Sequence, residues 1–351
     1  MEKARRRATS KDVAARAGVS RTTVSFVLND VRHANISDET RQRVLQAAET
    51  LGYVPHAAAR ALAGGKTGTI GLLLRPLRMA SVDAFLHQLI HGLMAVCLER
   101  GYRLLVETAA PSSPPESYLH MVRDNQIDAL VVLGIYEEDP ALTSIIASGF
   151  PVVLVGHFDD PIARIVFTDN RVGIASAVDH LLTLGHRRFG FIHFVPLPTI
   201  PDEPRLDGYV RALAAAGIPL EPGLVLGGGF SAASGYAAMR HILSSGNPPT
   251  ALVAGNDTIA IGAMTAIREA GLRIPNDVAV TGYDDIPMAR FAVPPLTTVG
   301  LPTHDMGRAA GELAIAAIEG DPAHDRIRTF NSRLIVRHSC GLIPVSQTLD
   351  E

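Results

Sequence analysis

Four side chains of different chemistry stand just after apolar, strand-like runs in the second half of this chain. Arg205 comes after FGFIHF, Phe230 after the Gly227-Gly228-Gly229 turn, Asn256 after TALVAG, and Asp284 within the Tyr283-Asp284-Asp285 triplet after VAVTG. A guanidinium, an amide and a carboxylate beside one aromatic face suit a polyhydroxylated ring: paired hydrogen bonds hold the hydroxyls and stacking covers the apolar sugar face. A local reading stands beside this one, with Asn256 and Asp284 capping helices and Phe230 filling a core.

A second set lies near the N terminus, in SKDVAARAGVSRTTVSFVLND. Arg21 and Thr22 open its second half, and Ser25 and Phe26 follow one turn later on the same side of a helix. Arginine pairs bidentately with guanine, and threonine or phenylalanine packs against a thymine methyl. The alternatives are a phosphate contact for Arg21 and a place in the small core for Phe26.

Catalytic chemistry finds little support. The chain has one Gly-rich turn, with neither the GxGxxG fingerprint nor a GxxxxGK[ST] phosphate loop. His157, His180, His186 and His193 are scattered over separate elements without HExxH or Cys-paired spacing, and no serine sits in a G-x-S-x-G elbow. Cys97 and Cys340 read as reduced, structural thiols. No cofactor, metal or catalytic residue is expected.

The elements that must position these groups divide the chain. At 351 residues and 47% hydrophobic content, it is too long for one ordinary core and predicts two or three domains. Residues 1–66 hold 12 Lys and Arg against 6 Asp and Glu, a balance of +6; the remainder holds 20 against 29, a balance of −9. A basic head on an acidic body fits phosphate neutralisation, which needs local positive charge. The opening MEKARRR leads into an amphipathic pattern, not the apolar stretch of a secretory leader, and no run approaches the roughly 20 apolar residues that span a bilayer. A cytoplasmic place without membrane contact is the expectation.

In the head, Thr9 or Ser10 caps a first helix, Thr9 and Asp12 having the form of a capping box. Val13, Ala14 and Ala17 share one face. Gly18-Val19-Ser20 reads as a tight turn whose Ser20 caps the next helix, buried through Val24, Val27 and Leu28. Two short helices joined by such a turn form a helix-turn-helix unit. A third helix runs from Ser37, with apolar positions Val44, Leu45, Ala48 and Leu51, and ends at Gly52. Beyond Pro55, HAAARALAGG predicts a helix of about two turns, too short to be stable alone.

From Thr69 onward apolar runs (TIGLLL, YRLLVET, ALVVLG, PVVLVG, FGFIHF, GLVLGG, TALVAG, VAVTGY, RLIVR) alternate with amphipathic stretches at 84–100, 171–184, 206–216, 232–243, 259–270 and 306–319. Alternating β and α imply parallel sheets covered by helices, and so many units imply two lobes with ligand sites at the carboxyl ends of strands.

Three stretches in order, DVAARAGVSRTTVSFVLN, ISDETRQRVLQAAETLGYVPHAAARALAGG and TGYDDIPMARFAVPPLTTV, resemble the LacI/GalR family of bacterial transcription repressors from about Ser10 to Ser339. The resemblance implies an all-α helix-turn-helix head at 1–54, a hinge helix and linker at 55–66, and an α/β body at 67–345 with the two-lobed fold of periplasmic binding proteins. The lobes are expected at 67–167 with 298–325, and at 168–297 with 326–345. It implies DNA contacts at Ser10, Ser20, Arg21, Thr22, Thr23, Ser25, Phe26 and Asn29, and at the hinge residues His56, Ala59 and Leu62, the leucine wedging into the minor groove. Effector contacts fall at Arg205, Phe230, Asn256, Thr258 and Asp284 in one lobe and Phe85 and Leu86 in the other. The partners implied are a pseudo-palindromic operator, a small polar effector such as a carbohydrate, and a second copy of the chain. A solute-binding protein of a transport system shares the body but not the basic head; an activator would have the same parts.

Overall fold

The computed structural model describes residues 8–28, 36–53, 66–74, 84–108, 118–133, 139–156, 162–194, 204–321 and 325–341. They fall into two compact units, one drawn from 1–69 with 120–128 and the other from 70–119 with 129–351. Asn29, His56, Ala59, Leu62 and the expected hinge helix lie outside the described residues.

The head contains α1 (Ser10–Ala17), α2 (Arg21–Leu28) and α3 (Asp38–Thr50). Thr9 caps α1 in a full capping box with Asp12, and Gly18 ends it in the left-handed region at φ 67°, which glycine enters without a Cβ penalty. Ser20 Oγ accepts from the Thr23 amide at 3.1 Å, and Ser37 caps α3. Val13, Ala14, Ala17, Val24, Val27, Val44, Ala47 and Ala48 form the core. Leu45 is 42% exposed, contrary to the expectation that it is buried. The inward stripe of α3 runs Val44, Ala47, Ala48, Leu51, and Leu45 sits about 100° off it.

The body builds two six-stranded sheets. β1 (Thr69–Leu74), β2 (Arg103–Thr108), β3 (Ala129–Leu133), β4 (Val152–Val155), β5 (Arg164–Thr168) and β11 (Ile327–Phe330) form the first, in the order β11-β5-β4-β3-β1-β2. β6 (Phe189–Phe194), β7 (Val225–Gly228), β8 (Ala251–Ala254), β9 (Ala279–Asp284), β10 (Thr297–Gly300) and β12 (Arg333–Ile335) form the second, in the order β12-β10-β9-β8-β6-β7. The central pairs are parallel, and β1, β4, β8 and β9 are buried along their whole length. Continuous apolar runs mark strands covered on both faces, each fully buried Leu or Ile side chain contributing about 1.5–3 kcal/mol. One pair departs from the parallel expectation: β12 runs antiparallel to β10.

Helices α4 (Ala84–Glu99) and α11 (Thr303–Glu319) cover the first sheet, α7 (Asn170–Thr183) and α8 (Pro204–Ala215) one face of the second, and α9 (Ala232–Ser244) and α10 (Asp257–Glu269) its other face. A Cβ on Gly92 of α4 would strike the His304 carbonyl, and one on Gly307 of α11 the Leu89 carbonyl, so paired glycines set how closely these helices pack. Two further α-helices among the described residues are α5 (Leu119–Arg123) and α6 (Pro140–Ala147).

The chain passes between the sheets after Thr168, after Gly300, and between Phe330 and Arg333. Residues 298–300 therefore belong to the second sheet and 327–330 to the first, which moves the lobe boundaries expected at 297 and 325. β5, β10 and β11 had not stood out as strands. Each is four or five residues long, and β11, IRTF, alternates exposed and half-buried positions without an apolar run.

Candidate functional site

On α2, Arg21 and Thr22 are exposed and Ser25 is half-buried. Phe26 is 38% exposed, so it stays on the outer face while Val24 and Val27 fill the core. Ser20 and Thr23 shape the helix start, their hydroxyls 2.9 Å apart. Ser10 is the first residue of α1, one position after the cap. Lys11, Arg16 and Arg43 are exposed as well, as are the acidic Asp38, Glu39 and Glu49 of α3.

In the body, Arg205 in the first turn of α8 reaches Asp284 at the end of β9, Nη2 to Oδ1 at 3.3 Å. Both side chains are largely withdrawn from water, 12% and 4% exposed. The Arg205 guanidinium also lies 4.4 Å above the Tyr283 ring, so the ring face fixes its plane. Asp284 and Asp285 take φ of 103° and 53°, unusual for side chains other than glycine.

Two further groups hold this turn. Asp257, fully buried at the start of α10, accepts from the Ile286 amide at 2.8 Å and from the Thr298 hydroxyl. Arg337 donates to Asp285 Oδ1 at 2.6 Å and to the Leu296 carbonyl at 2.8 Å. Burial pushes the Asp257 carboxyl up to about 7, against the two hydrogen bonds that favour its charged form. The Tyr283 hydroxyl donates to Asn170 Oδ1 at 2.9 Å.

The other expected effector residues are placed less uniformly. Asn256 is buried and its Oδ1 accepts from the Ile259 amide at 2.8 Å, so its oxygen caps α10 as the local reading held. Thr258 is half-buried in the first turn of the same helix. Phe230 is partly buried against the core between the second sheet and helices α9 and α10. Phe85 packs against the cores of both lobes, whereas Leu86 is 4% exposed inside the first-lobe core and is a packing residue there. Tyr283, Asn170, Asp257 and Arg337 were not singled out from sequence. The TGYDD stretch carried the signal for Tyr283, while Arg337 gave none, lying 52 positions from its acidic partner.

The Phe191 ring stacks on His193 at 5.7 Å and on Tyr209 at 4.7 Å, carrying an aromatic layer to the carboxyl end of β6. Both cysteines are buried and free. No helix among the described residues is long and apolar enough to cross a membrane.

Residues 9–56 match the family described as bacterial regulatory proteins, lacI family, and residues 178–340 match the periplasmic binding protein-like domain. The chain is 32% identical over 335 residues to the HTH-type transcriptional repressor PurR of Mannheimia succiniciproducens, covering 95% of this chain and 98% of that one. Among solved structures it is similar to the transcriptional regulator CelR–cellobiose complex (TM-score 0.71, 32% identity, 95% and 100% covered). It is also similar to the lac repressor dimer bound to operator and the anti-inducer ONPF (TM-score 0.81, 27% identity, 95% and 99% covered). With a capped helix-turn-helix at its head and two largely parallel sheets in its body, the chain belongs to the lacI family of bacterial regulatory proteins.

Proposed function

We propose that this protein is a cytoplasmic, homodimeric transcription repressor, not an enzyme, whose hold on a pseudo-palindromic operator is controlled by a small polyhydroxylated effector. The observation that carries this reading is the pairing of an exposed Arg21-Thr22-Phe26 face on α2 with the buried Arg205–Asp284 pair in the body. One set suits base edges in a major groove, and the other offers a fixed donor and acceptor side by side for ligand hydroxyls. In this reading Ser10, Ser20, Thr23, Ser25 and Asn29 help seat the head, His56, Ala59 and Leu62 meet the minor groove, and Phe230, Asn256, Thr258 and Phe85 line the effector site. Domain limits of 1–54, 55–66 and 67–345 belong to the same proposal. That CelR was solved with cellobiose favours a carbohydrate as the first ligand class to try.

The likeness to a dimer on its operator supports a second copy as partner. Met288, Phe291 and Val293 are 59%, 74% and 67% exposed around a groove lined also by Ile261, Met264 and the one charged residue Arg268, a mostly apolar surface suited to that contact. The test is sequencing of the genomic fragments retained by the pure protein. One shared motif with mirrored half-sites is expected, and a random spread of fragments would remove the operator-reading role.

A further inference from the structure

The triplet Tyr283-Asp284-Asp285 touches all three passages of the chain between the lobes. At the first, the Tyr283 hydroxyl donates to Asn170, two residues after β5 ends. At the second, Asp284 pairs in register with Gly300, the last residue of β10 before the chain leaves the sheet. At the third, Ser332 Oγ and the Tyr283 hydroxyl border the same Gly173, and Arg337, just beyond β12, binds Asp285. Space at this junction is tight: a Cβ on Gly173 would stand 2.5 Å from the Tyr283 hydroxyl and 3.0 Å from Ser332 Oγ. The ring of the same tyrosine supports the Arg205 guanidinium that meets Asp284.

We propose that Tyr283 is a positioning residue whose buried hydroxyl, bonded to Asn170 at the first interlobe passage and packed beside Ser332 of the third, latches the two together, while its ring holds Arg205 for the effector. A side chain fixed at both ends transmits a shift of Arg205 or Asp284 to the strands that set the lobe angle. The phenol needs no change of charge for this; it needs its acceptor, Asn170, and the close packing beside Ser332. The inference rests on the ligand-controlled reading for its purpose, but its test uses neither effector nor operator, so the two fail separately.

The experiment is hydrogen exchange by mass spectrometry on the full-length protein. In Tyr283→Phe, peptides spanning 168–173 and 330–335 are expected to exchange roughly two- to tenfold faster, the scale of one lost buried hydrogen bond. Peptides within α9 and α10 are expected at parent rates. Tyr118→Phe is the control: it deletes a comparable buried bond, to Asp139 at 3.0 Å, away from the passages, and should leave both passage peptides unchanged. Asn170→Asp keeps the acceptor and should behave as the parent, whereas Asn170→Leu should reproduce Tyr283→Phe. Parent rates at both passages in Tyr283→Phe would overturn the latch, as would equal acceleration across the whole body. Should Tyr283→Phe fail to fold, the two Asn170 variants decide the same question.

Discussion

Arg205 and Asp284 meet at 3.3 Å in the second lobe, brought together from the start of α8 and the end of β9 across 79 positions of sequence. Under the proposed effector reading, a ligand with adjacent hydroxyls would meet a guanidinium donor and a carboxylate acceptor already held in place, and would bind with little further ordering of the protein. Removing one partner outright would leave a buried charge uncompensated, at about 3–5 kcal/mol.

Asp284→Asn therefore makes the cleaner test of the effector site, because asparagine tolerates the φ of 103° and keeps an acceptor while losing the charge. The expected result is a loss of effector response of tenfold or more, about 1.4 kcal/mol. Operator affinity without effector should stay within a few-fold of the parent. Operator titrations with and without cellobiose, or another sugar that raises the melting temperature, measure both.

Arg21→Ala should weaken operator binding by about 1–3 kcal/mol and relax base preference at one position in each half-site. The dependence on salt should be steep in parent and variant alike, since most phosphate contacts remain. A competition assay over single-base operator variants separates base reading from phosphate holding: an equal loss on every sequence assigns Arg21 to phosphate.

Phe291→Lys should split the dimer. The side chain is 74% exposed in the single chain, so the substitution costs the fold little, but it places a charge in the apolar surface assigned to the second copy. Sedimentation velocity at micromolar concentration should show a shift toward monomer with an unchanged circular dichroism spectrum.

Asp257 gives the body a pH signature. Burial raises its folded-state value to about 7 from an ordinary 3.8, so the stability tied to its neutral form is complete below 3.8 and is lost as the pH rises through 7. Asp257→Asn removes this titration. Its denaturation midpoint should vary less than the parent's between pH 5 and 8, the window bracketing that value. A parallel pair of midpoint curves would mean Asp257 is charged throughout.

Much of this architecture was legible in the chain because the strongest strands are continuous apolar runs and the head carries explicit capping signals. Thr9, Asp12, Gly18 and Ser37 do what their side chains dictate. The short strands β5, β10 and β11 were not legible, since four or five residues held by neighbours need no pattern of their own. For the site, Arg205 and Asp284 were readable as polar groups placed after strands. Leu86 was not, because burial in α4 depends on which face meets α11 and the first sheet. Asp257 and Arg337 support the Asp284 turn through contacts 29 and 52 positions apart, which local spacing does not reveal.

The measurement closest to the central claim is a fluorescence-anisotropy titration of the parent protein against its retained pseudo-palindromic duplex and a scrambled duplex of equal length, at matched salt. Sequence reading by two copies of α2 predicts a preference of roughly 1,000-fold or more for the palindrome. Equal affinity for both duplexes would contradict it.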